Sequence, residues 1–253
     1  MPTLDRLDSH ALRDVITTFR NAVRDHAPGL NRLNVYPVPD GDTGTNMART
    51  LDAVVAEMEA ADAADLDATL DAISHGSLMG ARGNSGVILS QILRGLSSTL
   101  KERTEEFKEH TEGAGHRFAE ALSNASASAY QAVLKPIEGT ILTVVRESAE
   151  AAKAASADVA SLADVVRAAR AAGKEALDNT PELLPVLKDA GVVDAGGAGY
   201  LLFLDSALHV VDGEPLPEPT DEGGLTEEQF EAVAHRHSLV DGELDVSEQR
   251  YEV

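Results

Sequence analysis

Apolar residues recur at helical spacing through most of this chain, and strand-like alternation is nearly absent. The first two such segments carry Leu12, Val15, Ile16, Phe19 and Val23, then Met47, Leu51, Val54, Val55 and Met58. Apolar residues three or four positions apart line one face of a helix, and that face is then buried. The pattern predicts an all-α protein.

Six further stretches are predicted to be helical because they are rich in Ala, Leu and Glu, which are strong helix formers. They cover residues 66–80, 85–101, 115–133, 139–155, 162–177 and 197–211. Proline or glycine interrupts the pattern between helices, at residues 37–39, 80–86, 135–136, 180–185 and 191–199. Each interruption is a candidate for a loop that carries a binding site.

The composition changes after Val211, where residues 212–224 become acidic and rich in proline and glycine. Such a segment is too polar to pack and is typical of a linker. We therefore expect a compact domain over residues 1–212. Residues 213–253 are expected to form a linker, a short helix over residues 225–237, and the start of a truncated following domain.

The charge balance limits the classes of partner. With 21 Lys and Arg against 43 Asp and Glu, the net charge of -22 repels nucleic acid and anionic lipid. No cysteine is present, which excludes disulfides and thiolate chemistry. Neither a signal peptide nor an apolar run of the ~18 residues that a transmembrane helix needs is visible. We expect a cytoplasmic protein.

The loop before the second helix carries two carboxylates, Asp40 and Asp42, on either side of Gly41. The preceding prolines hold the chain extended, and Gly41 lets the backbone turn so that the carboxylates converge. Magnesium is typically bound by one or two carboxylates together with substrate phosphates. The alternative is that Asp40, Asp42 and Thr43 only form a turn and cap the helix.

Three other loops also end at helix starts, where free amide groups favour an anion. Residues 79–86 could hold phosphate, or could be a turn capped by Ser85; the loop is not a Walker A motif. Residues 191–199 contain small residues that could admit a flat base or only permit tight helix packing. Residues 136–142 could wall a base pocket or be an ordinary helix start.

Taken in order, residues 34–47, 75–88, 136–142 and 193–199 resemble the DhaL-like (Dak phosphatase) kinase domain. The similarity covers roughly residues 5–212 and is strongest to the N-terminal, ATP-binding domain of the bacterial fatty acid kinase, a relative of the dihydroxyacetone kinase L subunit. The resemblance implies a closed barrel of about eight antiparallel helices, with ATP or ADP and Mg²⁺ at one rim.

The resemblance also implies roles for individual residues. Asp40 and Asp42 would be the catalytic metal ligands, and Asn34 stands near the position of a third aspartate in the dihydroxyacetone kinase subunits, as a neutral third ligand. The residues implied to bind the nucleotide are Thr43, Thr45, Asn46, Gly83, Asn84, Ser85, Gly86, Thr140, Leu142, Asp194 and Gly196.

The implied reaction is phosphorylation of a fatty acid carboxylate that a separate fatty-acid-binding (DegV-like) protein presents, giving acyl phosphate. We expect this chain to bind ATP but to phosphorylate fatty acid poorly. One alternative is a dihydroxyacetone (glycerone) kinase component of the L type with ADP as coenzyme, which would require the third aspartate. Another is a non-catalytic regulatory module. The oligomeric state is left open, a homodimer included.

Overall fold

The computed structural model describes residues 8–102, 113–157, 161–219 and 226, and over these residues the only regular structure is helical. The helices are α1 (Ser9–Leu33), α2 (Thr43–Ala60), α3 (Leu66–Gly80), α4 (Gly83–Glu102), α5 (Ala114–Gln131), α6 (Ile141–Ala155), α7 (Leu162–Asp178), α8 (Thr180–Leu183), α9 (Pro185–Ala190) and α10 (Ala195–Asp212). The prediction of an all-α protein is confirmed.

Local side-chain chemistry sets where several helices begin. Asp8, Asp65 and Ser161 each accept a hydrogen bond from the backbone amide three residues further on, which satisfies an otherwise free donor of the first turn. Residues 180–190 differ from the predicted break, because Pro181 and Pro185 lie in the first turns of α8 and α9. Proline is accommodated there since the first-turn amides have no partner within the helix.

The eight long helices form a closed ring. Each of α1 to α6 packs on the next helix, and α10 packs on both α7 and α1. The interior of the ring is apolar, and Phe19, Met47 and Leu51 of the two faces predicted first are fully buried. The segments that follow α1, α3, α5 and α7 all contribute residues to one cleft, so neighbouring helices of the ring run in alternating directions.

This alternation places four loops at the same end. They are the α1–α2 loop, the α3–α4 loop, the α5–α6 loop and the segment with α8 and α9 that joins α7 to α10. These are the four segments that the sequence singled out, so the topology gathers all of them at one rim of the ring.

Residues 213–219, which we call the C-terminal strap, turn back onto the ring after α10. The Glu214 carboxylate accepts hydrogen bonds from Arg167 Nε (2.7 Å) and Arg170 Nη1 (3.2 Å). The backbone carbonyl of Pro217 accepts one from His26 Nε2 of α1 (3.1 Å). The start of the expected linker thus packs on the domain. Ion pairs, and not the burial of apolar side chains, hold it there. The helix expected over residues 225–237 and the following domain lie outside the described residues.

Among the described helices, none has the length and apolar character needed to cross a membrane.

Candidate functional site

The four loops enclose a cleft of about 380 Å³, which lies in the size range of small-molecule sites. Of the residues that the resemblance implied, all but Thr45 and Gly86 line it: Asn34, Asp40, Asp42, Thr43, Asn46, Gly83, Asn84, Ser85, Thr140, Leu142, Asp194 and Gly196. A larger groove of about 570 Å³ runs along α3, α4 and α5 but contains none of these residues. The cleft is therefore the candidate site.

Asp40 and Asp42 lie on either side of a tight turn at the cleft. Gly41 takes a positive φ of 66°, a conformation that favours glycine, and the two carboxylates lie close enough for the charge of one to act on the other. Asp42 occupies the N-cap position of α2, yet its side chain makes no capping hydrogen bond. The helix start does not use this carboxylate, which counts against the turn-and-cap alternative.

The two carboxylates also repel each other. Partial burial raises the pKa of Asp40, and the nearby charge of Asp42 raises it further. A bound cation would relieve this repulsion, and a pair of hard oxygen ligands suits magnesium. The described residues contain no cluster of three or more His, Cys, Asp or Glu side chains that could hold a metal. An ion here would therefore take its remaining ligands from water and from phosphate.

Asn34 is buried beside this pair and uses both ends of its amide. Its Nδ2 donates to Asp40 Oδ1 (2.6 Å) and to the carbonyl of Val38 (3.1 Å). Its Oδ1 accepts the hydroxyl of Thr43. In this structure Asn34 positions Asp40 and joins the loop to the start of α2, and its role as a third metal ligand stays a prediction.

Four helices begin at the cleft: α2, α4, α6 and α10. A helix N-terminus carries free amide donors and roughly half a positive charge. Four such ends around one cleft favour an anionic ligand, although Asp40, Asp42 and Asp194 also line it. The electrostatics of the cleft therefore suit phosphate groups accompanied by a cation.

The start of α4 is built against Asn46 of α2. Gly83 has a φ of 59°, and a Cβ atom on it would lie 2.2 Å from Asn46 Nδ2. The Oγ of Ser85 is shielded from solvent and has no hydrogen-bond partner within the described residues. A shielded hydroxyl without a partner is uncommon, and the residue that carries it lines the cleft.

The two predicted residues outside the cleft serve helix packing. Thr45 faces α1, where its amide donates to Asn31 Oδ1 (3.1 Å) and its hydroxyl accepts from Asn31 Nδ2 (3.0 Å). Gly86 lies against α2, since a Cβ atom on it would be 2.5 Å from Thr50 Oγ1. The structure therefore does not bring these two residues together with the others.

Asp194 is buried at the start of α10 and joins two of the helix starts. Its Oδ2 accepts a hydrogen bond from the amide of Gly197 (2.7 Å), and the amides of Gly196 and Ile141 also donate to its carboxylate. Burial, which outweighs these hydrogen bonds, raises the pKa of Asp194 to about 6. Asp194 thus holds the starts of α10 and α6 together at the floor of the cleft.

Thr140 also belongs both to a helix start and to the lining of the cleft. Its hydroxyl accepts from the amide of Leu142 at the start of α6 and donates to the carbonyl of Ile137 (2.8 Å). It therefore caps α6, as the ordinary helix-start alternative proposed, while also lining the cleft.

Several further cleft residues were not among the individual site residues predicted from the sequence. They are Tyr36, Pro37, Val38, Ile88, Val133, Leu134, Lys135, Ile137 and Ile141. Most are apolar, and Leu134 is 78% exposed at the mouth of the cleft. All of them lie inside or next to the four predicted loops, so proximity to a motif was the one available indication.

Comparison with known proteins gives the family. The DAK2 domain matches residues 37–209. Protein YloV of Bacillus subtilis is 40% identical over 212 residues, which are 84% of this chain and 37% of that protein. An uncharacterized protein of Staphylococcus saprophyticus is 37% identical over 244 residues, which are 94% of this chain and 43% of that protein. The chain thus spans less than half the length of these relatives. The domain match covers more than half of the chain and every loop of the cleft from Pro37 onward. This chain therefore belongs to the DAK2 domain family, whose members are kinase-related and bind adenine nucleotides.

Proposed function

We propose that this chain is the Mg²⁺-ATP-binding domain of a fatty acid kinase. In this proposal the terminal phosphoryl group passes from ATP to the carboxylate of a fatty acid, giving acyl phosphate and ADP, in the cytoplasm. A separate DegV-like fatty-acid-binding protein carries the acceptor. The observation that carries the proposal is the pair Asp40 and Asp42 at a cleft surrounded by four helix starts, with no capping hydrogen bond from the Asp42 carboxylate to α2.

Each part of the cleft would have a distinct task. Asp40 and Asp42 would hold the ion, which, when bound, neutralises charge on the phosphates. Asn34 keeps Asp40 in place through its amide hydrogen bond. The Ser85 hydroxyl and the first amides of α4 would contact phosphate oxygens. Phosphoryl transfer depends mainly on such positioning and electrostatic stabilisation, so no covalent intermediate on the protein is needed.

The acceptor would come from outside. A cleft of about 380 Å³ corresponds to one small-molecule site, which the nucleotide itself would occupy. An acceptor presented at the mouth by another protein fits this arrangement. Asn34 disfavours the dihydroxyacetone kinase alternative, because a neutral amide that donates to Asp40 stands near the expected position of the third acid.

Calorimetric titration with ATP, in the presence and absence of magnesium, tests the metal and nucleotide assignment. The double variant Asp40→Asn/Asp42→Asn should lose the magnesium-dependent part of the ATP affinity. Asp189→Asn, which removes an exposed carboxylate on α9, is the control and should bind as the native chain does. Unchanged magnesium-dependent binding in the double variant would show that the two aspartates are not the ligands.

An activity assay separates the proposed reaction from its alternatives. The chain is incubated with Mg²⁺-ATP and a purified DegV-like protein loaded with oleate, and acyl phosphate is trapped with hydroxylamine. Formation of acyl hydroxamate that requires both proteins supports the proposal. Phosphorylation of dihydroxyacetone instead would favour the glycerone kinase alternative, and binding of nucleotide without either product would favour a regulatory module.

A further inference from the structure

The large apolar side chains that are exposed to solvent lie at one end of the ring. Among the described residues there are six, and every one lies in, or within a turn of, one of the four loops at the cleft end. We call them the apolar rim: Val38, Leu78, Met79, Leu134, Ile137 and Leu183. Single apolar side chains are common on protein surfaces, whereas a group of them around a cleft indicates a surface that another molecule covers.

The members of the apolar rim are also neighbours in space. Three of them line the cleft itself, namely Val38, Leu134 and Ile137. Leu183 of α8 lies against the α5–α6 loop, since a Cβ atom on Gly139 would be 3.0 Å from the Leu183 Cβ. Leu78 of α3 borders the larger groove together with Ala132, which stands two residues before Leu134 in the chain. The apolar rim therefore extends around the mouth of the cleft.

Two of the segments that carry the apolar rim are held in place by hydrogen bonds. In the α5–α6 loop, the Glu138 carboxylate accepts hydrogen bonds from the hydroxyls of Tyr130 (2.9 Å) and Thr143 (2.7 Å). At the start of α8, the Thr180 hydroxyl accepts one from the backbone amide of Asp194 (3.1 Å). The apolar side chains of these segments are thus presented on a preformed backbone, which loses little conformational freedom when a partner binds.

The charge and the course of the chain limit what can cover the apolar rim. A second copy would bring together two chains that each carry a net charge of -22 and therefore repel each other. A later segment of the same chain is poorly placed, because α10 begins at the cleft and its 18 residues carry the chain about 27 Å away, to the other end of the ring. These observations favour a separate protein that is not strongly acidic.

We propose that the apolar rim is the docking surface for the protein that carries the acceptor, and that this partner meets it with an apolar face of neutral or basic character. This inference rests on the proposed transfer of a phosphoryl group to a fatty acid. A protein that presents the carboxylate of a bound fatty acid must open its apolar acyl pocket towards the kinase, so its docking face is apolar around the acceptor. Burial of the two apolar faces excludes water, which would otherwise compete with the carboxylate for the phosphoryl group.

Binding of a purified DegV-like protein loaded with oleate, measured by surface plasmon resonance in the presence of Mg²⁺-ATP, tests this inference. The test variant is Met79→Gln/Leu183→Gln, because these side chains are 64% and 44% exposed and do not line the cleft. Its affinity for the partner should be at least about tenfold lower than that of the native chain, while its affinity for Mg²⁺-ATP should be unchanged. Leu216→Gln, at a partly exposed position of the C-terminal strap, is the control and should bind both as the native chain does.

The outcomes distinguish this inference from the proposed function. If the native chain and the partner form acyl hydroxamate but the double variant binds the partner as tightly as the native chain does, the inference is overturned and the proposed reaction stands. Dimerisation of the native chain that the double variant abolishes, measured by sedimentation velocity, also overturns it, because a second copy then covers the apolar rim. Weaker binding of Mg²⁺-ATP by the double variant overturns it as well, since the substitutions then act through the nucleotide site. If the native chain and the partner form no acyl hydroxamate, the proposed function fails and the inference fails with it.

Discussion

Among the carboxylates of the cleft, Asp194 is the one most removed from solvent. It accepts three backbone hydrogen bonds at the junction of α6 and α10, yet burial still raises its pKa to about 6. A raised pKa means that the folded chain holds this proton more tightly than the unfolded chain does. Asp194 therefore stabilises the fold most when it is protonated, and this contribution is lost as the pH rises through its folded pKa.

The variant Asp194→Asn should reveal this pH dependence. With an unfolded pKa of about 3.9 and a folded pKa of about 6, ionisation of Asp194 costs about 3 kcal/mol in total, of which roughly half falls between about pH 5 and about pH 8. The free energy of unfolding of the native chain should thus fall relative to that of Asp194→Asn over this interval. Urea unfolding of both proteins at the two pH values measures it, and a constant difference would contradict the raised pKa.

At the scale of single elements, the start of α4 requires both a left-handed backbone conformation at Gly83 and the absence of a side chain there. Gly83 and Gly191 have similar positive φ values, 59° and 68°. Nothing lies within 4 Å of a Cβ atom added at Gly191, whereas one added at Gly83 would meet the Asn46 amide. The two glycines therefore separate the cost of backbone strain from the cost of a steric clash.

Gly83→Ala should destabilise the fold more than Gly191→Ala does. Backbone strain alone should lower the free energy of unfolding of Gly191→Ala by about 1 kcal/mol. Gly83→Ala should lose more, because Asn46 must move, and it should also bind ATP more weakly. Urea unfolding and calorimetry of both variants measure the two effects. Equal losses of stability would show that Asn46 is displaced without cost.

The helices were predictable because their determinants are local. Apolar spacing, helix formers and flanking glycine or proline gave the ends of the six helices with predicted bounds to within about two residues of those observed, whereas only the apolar faces of α1 and α2 were predicted. The short helices α8 and α9 were missed because proline can begin a helix as well as interrupt one. The four site loops were also predictable, since each carries a motif.

The direction in which individual side chains of those loops point was less predictable. Thr45 and Thr43 are both polar residues at one helix start, but Thr45 faces α1 and Thr43 faces the cleft. Asn34 lies beside Asp40 and holds it through a hydrogen bond that no sequence pattern shows, while its predicted role as a third metal ligand stays a prediction. Lys135 and Leu134 belong to the cleft only because the ring brings the α5–α6 loop beside the others.

At the scale of the whole molecule, the C-terminal strap connects three helices of the ring. Glu214 pairs with two arginines of α7, its backbone carbonyl contacts His209 of α10 (2.8 Å), and Pro217 contacts α1. The Arg167 and Glu214 side chains are 41% and 29% exposed, so solvent screens their attraction. The strap should therefore add a modest amount of stability to a ring that closes without it.

Glu214→Gln tests this contribution. Removal of the charge should lower the free energy of unfolding by about 1 kcal/mol or less, the range of exposed ion pairs. Added salt should reduce the difference from the native chain, because it screens the native pairs. Glu218→Gln, at an exposed position further along the strap, is the control and should have no effect. Equal effects of the two variants in urea unfolding would show that the arginine pairs contribute nothing.

The closure of the ring by α1 bears on how this protein can be dissected. The family match runs from residue 37 to residue 209, and so it excludes all of α1 and the strap. Yet α1 supplies Phe19 and Val23 to the core, packs against both α2 and α10, and ends at the asparagine that orients Asp40. We therefore expect that residues 37–209 alone do not fold into a stable domain. A gene fragment that encodes only residues 37–209 would lack one of the eight long helices, α1, and would expose the apolar interior of the ring to water.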